Sequence, residues 1–175
     1  MLSVFRLLLI GPFLTYLYSK HYDYAFYVFI LAGLTDGIDG WLARQFQWLT
    51  PFGRFIDPLA DKLLVTASFI SLALLGKLPW WLVILVFLRD ATISIGVLFW
   101  YKCIERSFNF MPSMLSKLNT AVQILLVAIC LLDMAFPPIS PNPISFLIYL
   151  TALTTTITYI DYAWTWGRRT CSIKH

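Results

Sequence analysis

Six apolar stretches, each close to the length of a bilayer crossing, constrain this chain more than any other feature. A helix needs ~20 mostly apolar residues to traverse the hydrocarbon core. The stretches run over about 2–19, 22–44, 55–76, 79–101, 113–136 and 143–166. Turn or charge signals separate them: Pro79 and Pro143 open the fourth and sixth, and Pro137-Pro138 follows the fifth. Gly11-Pro12 lies inside the first and predicts a kink there. Only 13% of the residues are charged and 59% are hydrophobic, whereas soluble domains carry about 25% charged residues. Mean hydropathy is +0.76. Such a chain cannot cover itself with polar surface, so its solvent is a bilayer; the alternative is a subunit buried in a large soluble complex. The expected fold class is an all-α membrane protein of six transmembrane helices, a single domain over 1–175. No soluble domain, internal repeat or low-complexity tract is visible.

The basic residues orient the spans, because Lys and Arg collect on the cytoplasmic side. With the N-terminus inside, the inner ends receive Arg6, Arg44, Arg54, Lys102, Arg106, Lys117, Arg168, Arg169 and Lys174, and the outer ends only Lys20 and Lys77. Both termini are therefore expected on the cytoplasmic or matrix side. Tyr22, Trp80, Trp81, Tyr101 and Trp166 near span ends fit an interfacial aromatic belt. Cys103, Cys130 and Cys171 show no metal-ligand spacing, and His21 and His175 are the two histidines. A zinc site or a histidine base has almost nothing to be built from. No signal or transit peptide is apparent, which favours a bacterial inner membrane over a mitochondrial one.

Ionisable side chains inside spans are costly and mark function. Here they gather at the inner ends of the second and third spans. Asp36 and Asp39 are three apart and share a helix face, which Gly40 and Ala43 continue. Asp57 and Asp61 are four apart on the next span, with Gly53 one turn earlier. Two antiparallel helices joined by a short loop would bring these faces together. Four carboxylates at close quarters repel strongly and need cations; an all-oxygen set suits Mg²⁺ or Mn²⁺. The small residues on the same faces serve either close helix packing or room for a flat ligand such as a nucleobase. The plainer reading of the aspartates is a cation pathway, or pairing with Arg44, Arg54 and Lys62.

The stretch from Asp36 to Asp61, DGIDGWLARQFQWLTPFGRFIDPLAD, resembles the signature of the CDP-alcohol phosphatidyltransferases: D, two residues, DG, two, AR, eight, G, three, D, three, D. All eight fixed positions match. The resemblance implies the family's six-helix transmembrane fold, in agreement with the span count. It also implies that Asp36, Asp39, Asp57 and Asp61 hold two divalent cations, Mg²⁺ or Mn²⁺, and that Asp61 is the general base for the acceptor hydroxyl. Gly40, Ala43 and Gly53 match positions that admit the cytidine nucleotide, alongside Asp36 and Asp39. Arg44 supports either the nucleotide phosphates or the aspartates. The expected partners are CDP-diacylglycerol and a glycerol-type acceptor in the membrane, with no nucleic acid, and homodimerisation is typical of the family.

Over the whole chain the resemblance is to the glycerol-lipid branch. The LAGLTD run before the signature and the SKLNTAVQ run at Ser116 to Gln123 look most like cardiolipin synthases of the CMP-forming type, whose acceptor is phosphatidylglycerol. Phosphatidylglycerophosphate synthases, which use glycerol 3-phosphate, are the alternative. Their equivalent run usually carries a second lysine where this chain has Asn119. A dianionic phosphate favours extra cations, and a monoanionic diester needs fewer. Arg89, Lys117 and Arg106 are the candidate acceptor-side charges, against a salt bridge with Asp90 for Arg89 and interfacial snorkelling for the other two. Asn119, Thr120 and Gln123 either line the pocket or hydrogen-bond between helices. A divalent-cation channel or transporter is the distant alternative, and it has no need of glycines and an alanine in register with the aspartates. The family's Asn-Ile-Pro-Asn type lead-in is matched only at its end, through Met1 to Arg6, so the start is expected to be late or shortened.

Overall fold

The computed structural model describes the backbone of residues 2–46, 53–103, 114–136 and 141–172, with side chains described for 6–35, 62–93, 114–136 and 143–162. The described residues form six helices: α1 (Leu2–Tyr18), α2 (Tyr22–Phe46), α3 (Gly53–Leu74), α4 (Trp80–Cys103), α5 (Met114–Ala135) and α6 (Pro141–Ser172). Among the described residues there is no strand. Five helices lie within two residues of the expected spans. The sixth runs further, through Gly167 to Ser172. A glycine costs about 1 kcal/mol in a helix but does not by itself stop one, and Arg168 and Arg169 favour the negative end of the helix dipole.

Two tight turns set the helices antiparallel. At the end of α3, Gly76 takes φ 73°; its N–H donates to the Ala73 carbonyl (3.0 Å) and that of Lys77 to the Leu72 carbonyl (2.9 Å). This pair of bonds is the Schellman closure, which satisfies the last carbonyls of a helix. The α1–α2 turn repeats it without a glycine. The Lys20 N–H donates to Leu17 (3.3 Å), the His21 N–H to Tyr16 (3.0 Å), and Lys20 itself sits at φ 62°. Within α1, Pro12 stands inside an uninterrupted helix, and the Thr15 hydroxyl donates to the Gly11 carbonyl (2.9 Å).

The packing order places α3 and α5 at the middle. Helix α3 touches α1, α4 and α5, while α5 touches α2, α3 and α6; α1 also packs on α2, and α4 on α6. Helices α1 and α5 thus each contact both α2 and α3. The core is built from Phe13, Leu17, Phe29, Phe69, Leu72, Leu82, Leu126 and Leu131, with the Phe13 and Phe29 rings 5.9 Å apart. At the end where α3 and α5 finish, Lys77 Nζ meets Asp133 Oδ2 at 3.0 Å. That contact ties the α3–α4 turn to α5.

Large apolar side chains cover the outside as well as the core. Leu8, Ile84, Phe87, Phe146, Tyr149, Leu153 and Ile160 are all exposed, Tyr149 by 69%. Buried hydroxyls turn back onto their own helices: Ser68 donates to the Leu64 carbonyl (2.8 Å) and Thr151 to the Leu147 carbonyl (2.7 Å). Two described segments, Met114–Ala135 and Pro143–Tyr162, are long and apolar enough to cross a membrane, and Arg6–Tyr18, Tyr22–Thr35 and Lys62–Leu74 are apolar but shorter.

Candidate active site

The aspartates lie on regular helices, as their spacing requires. Asp36 and Asp39 are in α2 with Gly40, Ala43 and Arg44, and Asp57 and Asp61 are in α3, which Gly53 begins. On a helix, residues three and four apart are neighbours. Asp36 and Gly40, Asp39 and Ala43, and Asp57 with Gly53 and Asp61 therefore occupy neighbouring positions on a helix face. The side chains of these residues lie outside the described ones, so the expected convergence of the two acidic faces does too. Arg106 also falls outside the described residues.

The acceptor-side candidates are described, and the structure divides them. Arg89 on α4 is 4% exposed. Its Nη1 donates to Asp90 Oδ1 (2.5 Å) and its Nη2 reaches across to Ser116 Oγ on α5 (2.8 Å). The salt bridge weighed in the sequence is therefore present. It leaves Arg89 Nε buried with no partner among the described residues. Lys117 is exposed and Thr120 partly buried, its hydroxyl donating to the Ser116 carbonyl (3.1 Å).

Asn119 and Gln123 are different in kind. Asn119 is completely buried, and its Oδ1 accepts the hydroxyls of Thr154 and Thr155 on α6, both at 2.9 Å. It is an interhelical hydrogen-bonding residue, one of the two roles open for it in the sequence. Its Nδ2 is buried without a partner among the described residues, as is Nε2 of Gln123, which is 2% exposed. Ser116, Asn119 and Gln123 recur at i, i+3 and i+7 along α5 and so share one face. Beyond Gln123 that face turns apolar, through Leu126, Val127 and Cys130. Polar groups thus crowd the half of the α5 face nearest the end where α3 and α5 begin.

Sequence reasoning missed Thr154 and Thr155. The signal was present as a hydroxyl-rich run, LTTTIT at 153–158, inside an apolar span. Arg6 carried a better signal, as the last matched residue of the lead-in; it is buried at 2% exposure.

Comparison with known proteins bears on the whole chain. The family model described as CDP-alcohol phosphatidyltransferase matches residues 1–166. A probable phosphatidylglycerophosphate synthase of Mycobacterium tuberculosis is 32% identical over 169 residues, covering 92% of this chain and 77% of the relative. The human cardiolipin synthase (CMP-forming) is 33% identical over 189 residues, covering 99% of this chain and 62% of the relative. A CDP-diacylglycerol–glycerol-3-phosphate 3-phosphatidyltransferase of Wigglesworthia glossinidia brevipalpis is 34% identical over 131 residues, with 72% and 71% covered.

Proposed function

The chain belongs to the CDP-alcohol phosphatidyltransferase family, and we propose that it moves the phosphatidyl group of CDP-diacylglycerol to phosphatidylglycerol, releasing CMP and forming cardiolipin. It does so as a single six-span domain in a bacterial or mitochondrial inner membrane, with its active site and both termini on the cytoplasmic or matrix side. The apolar exterior of the bundle supports the membrane reading.

The residue type at 119 supports the choice of acceptor without touching it. A second cation at this position would suit a dianionic phosphate, but the chain places a neutral amide there, completely buried and tied to Thr154 and Thr155. Burying a lysine among the same hydroxyls would strand its charge. A phosphodiester with one negative charge, as in phosphatidylglycerol, asks less of the site. Glycerol 3-phosphate is the second reading, favoured by Arg89, whose buried Nε has no partner among the described residues.

Enzymes of this family use a divalent metal, and the donor set here fits one. Asp36 and Asp39 on α2 with Asp57 and Asp61 on α3 offer only carboxylate oxygens at helical spacing, the chemistry that Mg²⁺ and Mn²⁺ prefer. These four residues would hold two such ions, which when bound neutralise the diphosphate and stabilise departing CMP. Gly40, Ala43 and Gly53 leave room for the cytidine beside them, and Arg44 steadies the nucleotide phosphates or the carboxylates. Asp61 takes the proton of the acceptor hydroxyl as its oxygen attacks the phosphatidyl phosphorus. One phosphorus–oxygen bond forms to the acceptor while the bond to CMP breaks.

Acceptor competition tests the assignment. Purified protein receives labelled CDP-diacylglycerol, Mg²⁺ or Mn²⁺, and either phosphatidylglycerol or glycerol 3-phosphate. Cardiolipin from the first and no product from the second is the expected result. Phosphatidylglycerophosphate instead would keep the reaction class and overturn the acceptor.

A further inference from the structure

Gln123 carries a buried amide nitrogen that has no partner among the described residues. It is 2% exposed, and its Nε2 meets no acceptor among the described residues. Asn119, one turn earlier, is held by two threonines, and Ser116, two turns earlier, receives Arg89. Gln123 ends this polar series, immediately before the α5 face becomes apolar. Buried polar groups are nearly always satisfied, so an exception points to a missing partner.

The level of Gln123 in the bundle suggests what that partner is. Helices α3 and α5 pack together and begin at the same end, since the far end of α3 is tied to the far end of α5 through Lys77 and Asp133. At 1.5 Å per residue, Gln123 lies ~14 Å into α5 and Asp61 ~12 Å into α3. The unpartnered amide and the carboxylate assigned as base thus lie at similar distances from the starts of two packed helices that begin at the same end.

We propose that Gln123 is a binding residue for the acceptor, reading the hydroxyl of the glycerol unit that does not react. A hydroxyl both donates and accepts, and a primary amide offers one edge of each kind. A phosphate oxygen only accepts and would use half of the amide. Phosphatidylglycerol and glycerol 3-phosphate both carry a reacting primary hydroxyl with a second hydroxyl on the adjacent carbon. The inference rests on the phosphatidyl-transfer reading but not on which of the two acceptors is correct.

The test pairs the enzyme with acceptors that lack the second hydroxyl. Wild type and Gln123→Met are assayed with phosphatidylglycerol and phosphatidyl-1,3-propanediol, and with glycerol 3-phosphate and 3-hydroxypropyl phosphate. The wild type is expected to favour the diol of whichever pair it uses by about tenfold or more in kcat/KM, in line with one well-placed hydrogen bond in a buried site. Gln123→Met is expected to use both members of that pair equally, with an unchanged KM for CDP-diacylglycerol. Its melting temperature without acceptor should equal or exceed that of the wild type, because the Gln123 Nε2 has no partner among the described residues to lose. A wild type indifferent to the second hydroxyl, a variant that keeps the preference, or a variant with a markedly lower melting temperature would each overturn the proposal. A wild type that transfers to no glycerol acceptor would remove the reading beneath it, and that outcome is visible before any variant is made.

Discussion

At the scale of single residues, the protein separates polar groups that hold the bundle from those left for chemistry. Asn119 holds: its oxygen joins α5 to α6 through two threonine hydroxyls. Asn119→Ala is expected to lower stability by ~1–3 kcal/mol, the usual loss when a buried donor is stranded, as read by thermal unfolding in detergent micelles; that donor is Thr155, since the Thr154 hydroxyl can still donate to the Leu150 carbonyl. Asp61 is proposed for the other class. Asp61→Asn keeps the shape and removes the proposed base, so turnover should fall below detection while CDP-diacylglycerol binding survives; an active Asp61→Asn protein would sink the assignment. Sequence alone singled out the aspartates as candidates because carboxylates are rare inside apolar spans. It left Asn119 between two roles, because the choice depends on which helix faces α5. The threonines that decide it stand 35 and 36 positions away.

At the scale of elements, the two tight turns make opposite predictions. Both close with the same hydrogen-bond pair, but one uses Gly76 at φ 73° and the other Lys20 at φ 62°. A side chain in this left-handed region costs roughly 1–2 kcal/mol. Gly76→Ala should therefore destabilise the protein by ~1 kcal/mol; the space around an added methyl is open, so the cost is backbone alone. Lys20→Gly should be neutral or stabilising by up to ~1 kcal/mol. Melting temperatures of the two variants should move in these directions. The helix bounds were largely legible because long apolar runs meet Pro, Gly or charge at their ends. The end of α6 was not, because Gly167 read as a stop and the helix passes through it. The Lys20 turn was also hidden, since Ser-Lys-His carries none of the usual left-handed residues.

For the whole molecule, the exterior and the acidic helices belong to one design. Exposed Leu, Ile, Phe and Tyr side chains suit a lipid surround, the medium that would deliver the proposed lipid substrates. Four carboxylates in such a setting repel one another unless neutralised, and the proposed function gives that role to bound cations. Chelation with EDTA should abolish activity, and added Mg²⁺ or Mn²⁺ should restore it. Residual turnover of the chelated, dialysed protein would contradict the metal assignment. The pair Lys77–Asp133, 56 positions apart in sequence, could not have been read from the chain, because only the folded bundle brings the α3–α4 turn against α5.

The most direct measurement is the balance of the reaction itself. Purified protein in mixed micelles is supplied with CDP-diacylglycerol labelled in both its cytidine and its acyl chains, a divalent cation and phosphatidylglycerol, and both products are counted over time. The account predicts CMP and cardiolipin appearing in equal amounts, with neither formed when the acceptor is withheld. CMP without a matching lipid product, or no CMP in the presence of metal and every glycerol acceptor, would contradict phosphatidyl transfer.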